Sequence, residues 1–384
     1  KVMIVSDPGV TAAGIARRVQ RILEEGGLQT RLFSEVQANP TNENVNRAAQ
    51  LARDYAPDLF VAVGGGSSID LAKAVSLLMT NPDPIEAYGG IGNVPKKGLP
   101  LAAVPTTSGT SSEITNVCAL IDTKKVVKYV IIDNKLTPDL VVADPELCRT
   151  VPAGVTAATG MDAITHAIES YISREATPLS EYHSMQGLKI LYHNLPIAYE
   201  NGGNIAVREQ MMLGCLITGF GFSNANLGLV HGIAHTLSAH FGIAHGAANA
   251  AVLPYVLAYN APACSQKMID MASLLALPLT RDRSRDQYAM AKAMEKLNEM
   301  LKIPKLSAYG ITEADFDMLA EDVLRELACT EDTVRCDESI TTHHGTAETL
   351  SFIYPLPKNA DGVGGTAVFC VQTQKFNAYF QPRA

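Results

Sequence analysis

The first 150 residues alternate short apolar runs with amphipathic stretches. Apolar runs at 2–5, 59–63 and 101–104 contain no charged residue, as is typical of strands buried on both faces of a parallel sheet. Further strands are predicted at 30–33, 126–132 and 140–143, with helices at 12–25 and 43–55. Strand–helix alternation of this kind predicts a mostly parallel sheet covered by helices on both faces.

From residue 151 the periodicity becomes helical. Candidate helices lie at 155–172, 179–193, 207–219, 229–239, 247–260, 286–301 and 313–327, with no convincing strand before 330. We therefore predict an α/β domain at 1–150 and an all-helical domain at 151–330. The tail, 331–384, is rich in Thr, Gly and aromatic residues, lacks helical periodicity and has no pattern that indicates a role. Its His343-His344 pair is expected to be inert with respect to metal.

The segment 211–266 contains no Asp, Glu, Lys or Arg. A membrane-spanning helix needs about 20 predominantly apolar residues, but Asn224, Asn226, Pro254 and many glycines interrupt every such window. The segment therefore predicts buried helices in a protein core. Its side chains that titrate near neutral pH are His231, His235, His240 and His245.

Several imidazoles in one apolar segment favour a shared metal ion, because an unpaired buried polar group costs roughly 1–3 kcal/mol. Asp162 and His166 are four residues apart, so they share one helix face, and His231 and His235 have the same spacing. One carboxylate with imidazoles and no thiolate suits Fe(II) or Zn(II). Spacing alone does not decide which histidines bind, although His240 lies off the face of the 231/235 pair.

Two loops follow predicted strands and suit a phosphate-bearing ligand. The first, Gly64-Gly65-Gly66-Ser67, separates a strand from a helix, and glycines there allow close approach of a diphosphate to the helix N-terminus. The second, at 104–113, is rich in hydroxyl groups. Each has a purely structural alternative: a tight turn for the first and a helix N-cap for the second. Asp7 ends the first strand, where it suits a ribose hydroxyl or caps the next helix.

Composition narrows the classes of partner and compartment. With 384 residues, 47% hydrophobic content and a net charge of −8, the chain has a large core and no basic patch for nucleic acid. Its seven scattered cysteines form no C-x-x-C pair, which favours a reducing, cytoplasmic location. No segment has the pattern of a signal peptide or a membrane span. Since the chain opens directly in a strand without Met, we expect part of the N-terminus to be missing.

Taken together, these motifs resemble the iron-containing (group III) alcohol dehydrogenase family. The resemblance spans about residues 1–330 and is most specific in Gly160-Met-Asp-Ala-Ile-Thr-His166, Gly228-Leu-Val-His-Gly-Ile-Ala-His235 and His245-Gly246. It implies a Rossmann-like N-terminal domain, a helical metal-binding domain, and reversible hydride transfer between NAD and a primary alcohol or its aldehyde. The family commonly forms homodimers or larger assemblies. Family members also have a strand region before Val2, and they commonly close with Asn-Pro-Arg where this chain reads 336–341 differently.

The resemblance also implies individual site residues. Metal ligands would be Asp162, His166, His231 and His245, and His235 would be a catalytic, non-ligand histidine beside the nicotinamide and substrate. Residues at NAD-contacting positions are Asp7, Asn39, Gly64, Gly65, Gly66, Ser67, Asp70, Thr106, Thr107, Thr115 and Lys128.

The sequence is also compatible with two alternative functions. A glycerol-dehydrogenase-like or dehydroquinate-synthase-like enzyme would use the same fold, but polyol or phosphorylated substrates want charged or polar groups that 211–266 does not supply. A non-catalytic metal- and nucleotide-binding protein would instead have a closed, fully liganded metal.

Overall fold

The computed structural model describes residues 1–329 and three short strands of the tail, with side chains described as far as residue 324. The α/β part contains β1 (Val2–Ser6), α1 (Pro8–Ala12), α2 (Ile15–Glu25), β2 (Thr30–Phe33), α3 (Asn42–Tyr55), β3 (Leu59–Gly64), α4 (Gly66–Leu78), β4 (Gly90–Ile91), β5 (Leu101–Pro105), β6 (Val117–Asp122), β7 (Val127–Ile132) and β8 (Leu140–Val141). The helical part contains α5 (Ala153–Ile172), α6 (Pro178–Glu200), α7 (Ile205–Phe222), α8 (Leu229–Phe241), α9 (His245–Asn260), α10 (Ser265–Leu274), α11 (Arg283–Asp286), α12 (Ala289–Met300) and α13 (Phe316–Cys329). The tail strands are β9 (Thr341–Thr342), β10 (Thr349–Pro355) and β11 (Thr366–Gln372).

A five-stranded parallel sheet with the order β2-β1-β3-β5-β8 forms the centre of the α/β part. Because successive side chains of a strand point to opposite faces, Met3 and Val5 pack with α3 and α4, whereas Val2 and Ile4 pack on the other face beside α2. Both faces are therefore buried, as the continuous apolar runs predict. The carboxyl ends of β1, β3 and β5 lie side by side at one edge.

Two predicted elements in this part are present but differ in detail from the prediction. The segment predicted at 126–132 does not join the main sheet. It pairs antiparallel with β6, a strand that the sequence analysis missed, in a separate sheet with the order β4-β7-β6. The helix predicted at 12–25 is α2, but it begins three residues later, because its N-cap residue Gly14 adopts a left-handed conformation with φ of 78°. The short helix α1, which precedes it, was not predicted.

The helical part contains no strand between residues 151 and 329, as predicted. Helices α5, α7, α8, α9 and α12 share one continuous apolar core. Helices α10 and α11 were not predicted, and the helix predicted at 286–301 is α12, which begins three residues later. Among the described residues, no helix combines the length and apolar character that crossing a bilayer demands. The His343-His344 pair lies outside the described residues.

Gly246 sets the distance between α5 and α9. A Cβ atom at this position would come within 2.7 Å of the carbonyl carbon of Ala158 and 3.2 Å of the Cβ of Asp162. The first of these contacts is with rigid helix backbone, so a side chain here must push the helices apart.

We expect Gly246→Ala to destabilise the protein by about 1–3 kcal/mol, the usual cost of overpacking a close-packed core. Urea unfolding of the wild type and the variant measures the difference. Gly154→Ala is the matched control, since it lies in α5 with no atom within 4 Å of the added Cβ, and replacing an exposed helical glycine by alanine is stabilising. Equal stability of Gly246→Ala and the wild type would show that the two helices separate freely.

Candidate active site

Helix α5 presents three titratable side chains on one buried face. Asp162, His166 and Glu169 are at positions i, i+4 and i+7, which align along one side of an α-helix. Their exposed fractions are 2%, 5% and 2%. This face is directed toward α8 and α9, which supply the remaining histidines.

Helices α8 and α9 bring His231 and His245 to the same place. His231 is the third residue of α8, and α9 begins at His245. Gly242 ends α8 in the left-handed region with φ of 64°, so the chain reverses in a short connection and the helices pack together. The ring centroids of His231 and His245 are 5.3 Å apart.

Three imidazoles surround one carboxylate oxygen. The Oδ1 atom of Asp162 lies 3.9 Å from Nδ1 of His166, 3.8 Å from Nε2 of His231 and 3.7 Å from Nε2 of His245. The donor atoms of Asp162, His166 and His231 all lie within 4.8 Å of one another. A divalent cation about 2.0–2.2 Å from each ligand holds its ligand atoms roughly 3–4 Å apart, so these spacings suit one ion.

The hydrogen bonding of the cluster also fits a cation. The Nδ2 atom of Asn249 donates to Asp162 Oδ1 at 2.7 Å and lies 3.2 Å from Nε2 of His231 and 3.3 Å from Nε2 of His245. Electron-rich atoms thus converge on a positively polarised group. Within the described part of the chain, Nδ1 of His166, which faces Asp162 Oδ1, is buried without a hydrogen-bond partner, which is costly unless another group satisfies it.

The protonation states favour metal binding. Burial opposes the ionisation of Asp162, but the surrounding imidazoles outweigh it and hold the pKa of this carboxyl below its usual range. Burial lowers the pKa of His166 to about 4. Burial, assisted by the charge of Lys128, also lowers the pKa of His245 well below its usual value. At neutral pH the cluster therefore offers one anion and two neutral imidazoles, the forms that ligate metals.

His231 has the opposite shift. Burial disfavours its charged form, but hydrogen bonding to the carboxylates of Asp162 and Glu169 raises its pKa to about 9. Its Nδ1 atom is 2.6 Å from Glu169 Oε2, so the second nitrogen, Nε2, is the one that faces the cluster.

The two other histidines of the charge-free segment lie outside this group. His235 is half-buried, with its ring centroid 5.0 Å from that of His245 and 6.1 Å from that of His231. His240 forms a hydrogen bond through Nε2 to Asp322 Oδ2 at 2.8 Å, which ties α8 to α13. A structural role for His240 agrees with its predicted place off the metal-binding face.

The predicted nucleotide loops meet at the carboxyl edge of the main sheet. A Cβ at Gly65 would lie 3.0 Å from Thr107 Oγ1, and one at Gly66 would lie 2.6 Å from Thr110 Cγ2. The glycines are therefore required for contact between the two loops. The hydroxyl-rich loop precedes only a short 3-10 turn at Ser112–Ile114, so it does not cap an α-helix.

Asp7 lies at the same edge, but it also has the structural role that was its alternative. Its Oδ1 atom accepts a hydrogen bond from the Val10 backbone N–H at 2.9 Å and caps α1. Its Oδ2 atom accepts from Ser68 Oγ at 3.3 Å. Capping thus occupies Oδ1, whereas Oδ2 lies beside the glycine turn.

A second group of predicted residues lies beyond the end of β2. Asn39 adopts a left-handed conformation with φ of 54°. Its backbone N–H donates to Ser67 Oγ at 3.4 Å, and its side-chain oxygen accepts from Lys128 Nζ at 3.3 Å. This group therefore links the glycine turn to β7, which in turn contacts α8.

Asp70 and Thr115 are instead part of an internal network around Lys73. The Lys73 ammonium is 1% exposed and donates to Ser112 Oγ and to the carbonyl oxygens of Thr115 and Val117 at 2.7–3.1 Å. Asp70 accepts from Ser112 Oγ and from the Ala119 backbone N–H at 2.5 and 3.1 Å. Both oxygens of this carboxylate thus have partners within the protein.

Sequence reasoning missed three residues of the histidine cluster. Glu169 and Asn249 could have been found by the spacing rule that identified the others, since they lie seven residues after Asp162 and four after His245. Phe222 stacks on the His166 ring with centroids 4.3 Å apart and an interplanar angle of 17°. No spacing rule relates Phe222 to the cluster, because it lies at the end of α7.

Family models match both parts of the chain. The model described as iron-containing alcohol dehydrogenase matches residues 1–145, and the model of the C-terminal part of the Fe-containing alcohol dehydrogenase family matches residues 156–340. Together they cover most of the sequence, including every residue of the histidine cluster.

Individual proteins of this family are also similar over most of their length. Alcohol dehydrogenase 4 of Saccharomyces cerevisiae (strain YJM789) is 36% identical over 332 residues, which are 86% of this chain and 85% of that protein. An NAD-dependent methanol dehydrogenase of Bacillus methanolicus is 34% identical over 337 residues, 87% of this chain and 88% of the relative. The crystal structure of a 1,3-propanediol oxidoreductase superposes with a TM-score of 0.81 at 36% identity, covering 84% of this chain and 85% of that one.

These matches confirm the predicted fold class, the predicted enzyme class, and the predicted pairing of NAD with iron. The chain belongs to the iron-containing alcohol dehydrogenase family.

Proposed function

We propose that this alcohol dehydrogenase binds its metal ion through Asp162, His166, His231 and His245, and oxidises a primary alcohol with NAD. The observation that carries the proposal is the convergence of three imidazole nitrogens on Asp162 Oδ1 at 3.7–3.9 Å. A divalent cation held there would act as a Lewis acid toward the alcohol oxygen and lower the pKa of its hydroxyl group. The relative named a methanol dehydrogenase supports a primary alcohol as the substrate.

The side chains of the histidine cluster are shielded from water on most sides, but the cluster is accessible on one. Asp162, His166 and His231 are nearly fully buried, whereas the side chain of His245 is 18% exposed. The cluster is thus accessible on the side of His245. An opening on one side favours a catalytic centre over a closed, purely structural metal site.

We propose that the nucleotide lies along the carboxyl edge of the main sheet. Ligands of open α/β sheets bind at this edge, and α4 presents its N-terminus there for a phosphate group. The proposed contacts are Asp7, Asn39, Gly64, Gly65, Gly66, Ser67, Asp70, Thr106, Thr107, Thr115 and Lys128. Of these, Asp70 and Thr115 would act indirectly, through the network around Lys73 that shapes the loop.

His235 is proposed to be catalytic without binding the metal. It is half-buried beside His245, on the open side of the cluster, where an imidazole can transfer the hydroxyl proton of an alcohol toward solvent. We also propose domains at 1–150 and 151–330, a homo-oligomeric state and a cytoplasmic location. The four cysteines within the described residues are all free thiols, which supports a reducing compartment.

An alcohol panel tests the function directly. Protein reconstituted anaerobically with Fe(II) should form NADH with methanol, ethanol, propanol and 1,3-propanediol, and less with glycerol. Chelation should abolish the activity and Fe(II) should restore it. His231→Ala is the control: it should lose metal and activity while retaining NAD binding, because the glycine loop lies in the other part of the chain. Metal-loaded protein that forms no NADH with any alcohol would refute the proposal.

The proposed role of His235 predicts a separation of metal content from turnover. His235→Ala should retain its metal, because its ring lies beside the donor cluster, but turnover should fall about 10²-fold or more and its pH dependence should change. Metal analysis and pH profiles of kcat measure both. A loss of metal as large as in His231→Ala would make His235 a ligand.

The proposed role of Asp7 predicts a preference for NAD over NADP. The 2′-phosphate of NADP would add about two negative charges near this carboxylate, and like charges at roughly 4 Å repel by about 1 kcal/mol in water and by more in a drier cleft. Because roughly 1.4 kcal/mol corresponds to a factor of ten, we expect at least about a tenfold preference.

Asp7→Asn separates this role from helix capping, since asparagine caps as well as aspartate but carries no charge. We expect kcat/KM with NADP to rise while the value with NAD changes less, and the melting temperature to stay close to that of the wild type. Equal changes with both cofactors would leave Asp7 only its capping role. A wild type that already prefers NADP would contradict the ribose contact.

A further inference from the structure

Glu169 is a buried carboxylate for which the reaction has no direct use. It lies on the same face of α5 as Asp162 and His166 and is 2% exposed. A buried carboxylate is costly unless hydrogen bonds or charges compensate it. Three hydrogen-bond donors compensate the charge of Glu169, and their identity indicates its role.

Two of these groups belong to the first turn of α8. The backbone N–H of Gly228 donates to Oε2 at 3.0 Å, and that of Val230 donates to Oε1 at 2.7 Å. Gly228 is the N-cap residue and has no side chain to cap the helix itself. A Cβ at Gly228 would lie 2.8 Å from Glu169 Oε1. Glu169 therefore replaces the missing cap from a neighbouring helix, and the glycine makes room for it.

The third group is His231. Its Nδ1 atom is 2.6 Å from Glu169 Oε2. An ionised carboxylate only accepts hydrogen bonds, so Nδ1 carries a proton and donates it. In the neutral ring the lone pair is then on Nε2, the atom 3.8 Å from Asp162 Oδ1. The carboxylate thus selects the tautomer of His231 that can bind a metal.

We propose that Glu169 is a positioning residue of the metal centre, which fixes the start of α8 and the tautomer of His231 with one carboxylate. The proposal rests on the proposed metal ligands. Carboxylates that hold the far nitrogen of a ligating histidine orient the ring and increase its basicity, and their loss typically weakens metal binding 10–100-fold. Through Glu169, helix α5 also controls a ligand that it does not itself carry.

Glu169→Gln tests the inference, because glutamine has nearly the same shape but only one accepting atom for three donors. We expect its dissociation constant for Zn(II) or Co(II), measured by chelator competition, to rise about 10–100-fold. The visible absorption of the Co(II) form should also shift, because the geometry at His231 is no longer fixed. Glu169→Asp keeps the charge on a shorter side chain and should give an intermediate loss of affinity.

Thr177→Ala is the matched control for capping alone. The Oγ1 atom of Thr177 accepts from the Ser180 backbone N–H at 3.2 Å and caps α6, so its loss should lower the melting temperature without changing the cluster. If Glu169→Gln lowers the melting temperature as this control does but binds metal like the wild type, Glu169 is only a cap and the inference is wrong. Should Glu169→Gln fail to fold, unchanged metal affinity in Glu169→Asp would overturn the inference equally.

His231→Ala distinguishes the failure of this inference from failure of the proposed function. If His231→Ala retains full metal occupancy, the ligand set itself is wrong. If His231→Ala loses its metal while Glu169→Gln binds as tightly as the wild type, only the positioning role fails.

Discussion

The pairing of buried carboxylates with imidazoles and backbone N–H groups is the constraint on which the helical part depends. Ionised carboxylates inside a protein need full compensation, because desolvation penalises the charge by several kcal/mol. Segment 211–266 offers no Lys or Arg for this purpose. Asp162 is therefore surrounded by imidazoles and an amide, and Glu169 by His231 and a helix N-terminus. The crossing of α5, α8 and α9 follows from these contacts together with Gly246.

The hydroxyl-rich loop at 104–113 contacts both the α/β part and the helical part of the chain. Its glycine, Gly109, would place a Cβ 2.7 Å from Thr159 Cβ on α5, and Ser111 Oγ donates to the Cys215 carbonyl on α7 at 2.7 Å. The same loop touches the glycine turn through Thr107 and Thr110. The carboxyl edge of the sheet and the helices that carry the histidines are thus connected by one hydroxyl-rich segment.

Sequence patterns predicted the strands and the side-chain spacing, which follow from periodicity. They missed features that depend on the conformation of one residue or on the identity of a pairing partner. Continuous apolar runs located β1, β3 and β5, and the four-residue spacing located Asp162 and His166. The start of α2 was placed three residues early because it depends on the left-handed conformation of Gly14. The pairing of β7 with β6 was missed because an apolar run does not reveal its partner strand. The hydrogen bonds of Asp70 to Ser112 and Ala119 were missed because only the folded chain brings these residues together.

The position of Glu169 also bears on how strongly the proposed metal centre would act as a Lewis acid. A divalent cation ligated by Asp162 and neutral imidazoles would keep a net positive charge, which would stabilise negative charge on a substrate oxygen. A second carboxylate behind His231 would reduce that charge if it stood alone. Here it accepts hydrogen bonds from two N–H groups at the N-terminus of α8, where the helix dipole supplies about half a positive charge. The helix terminus therefore offsets much of the negative charge of Glu169, and the carboxylate can orient His231 while the centre stays electrophilic.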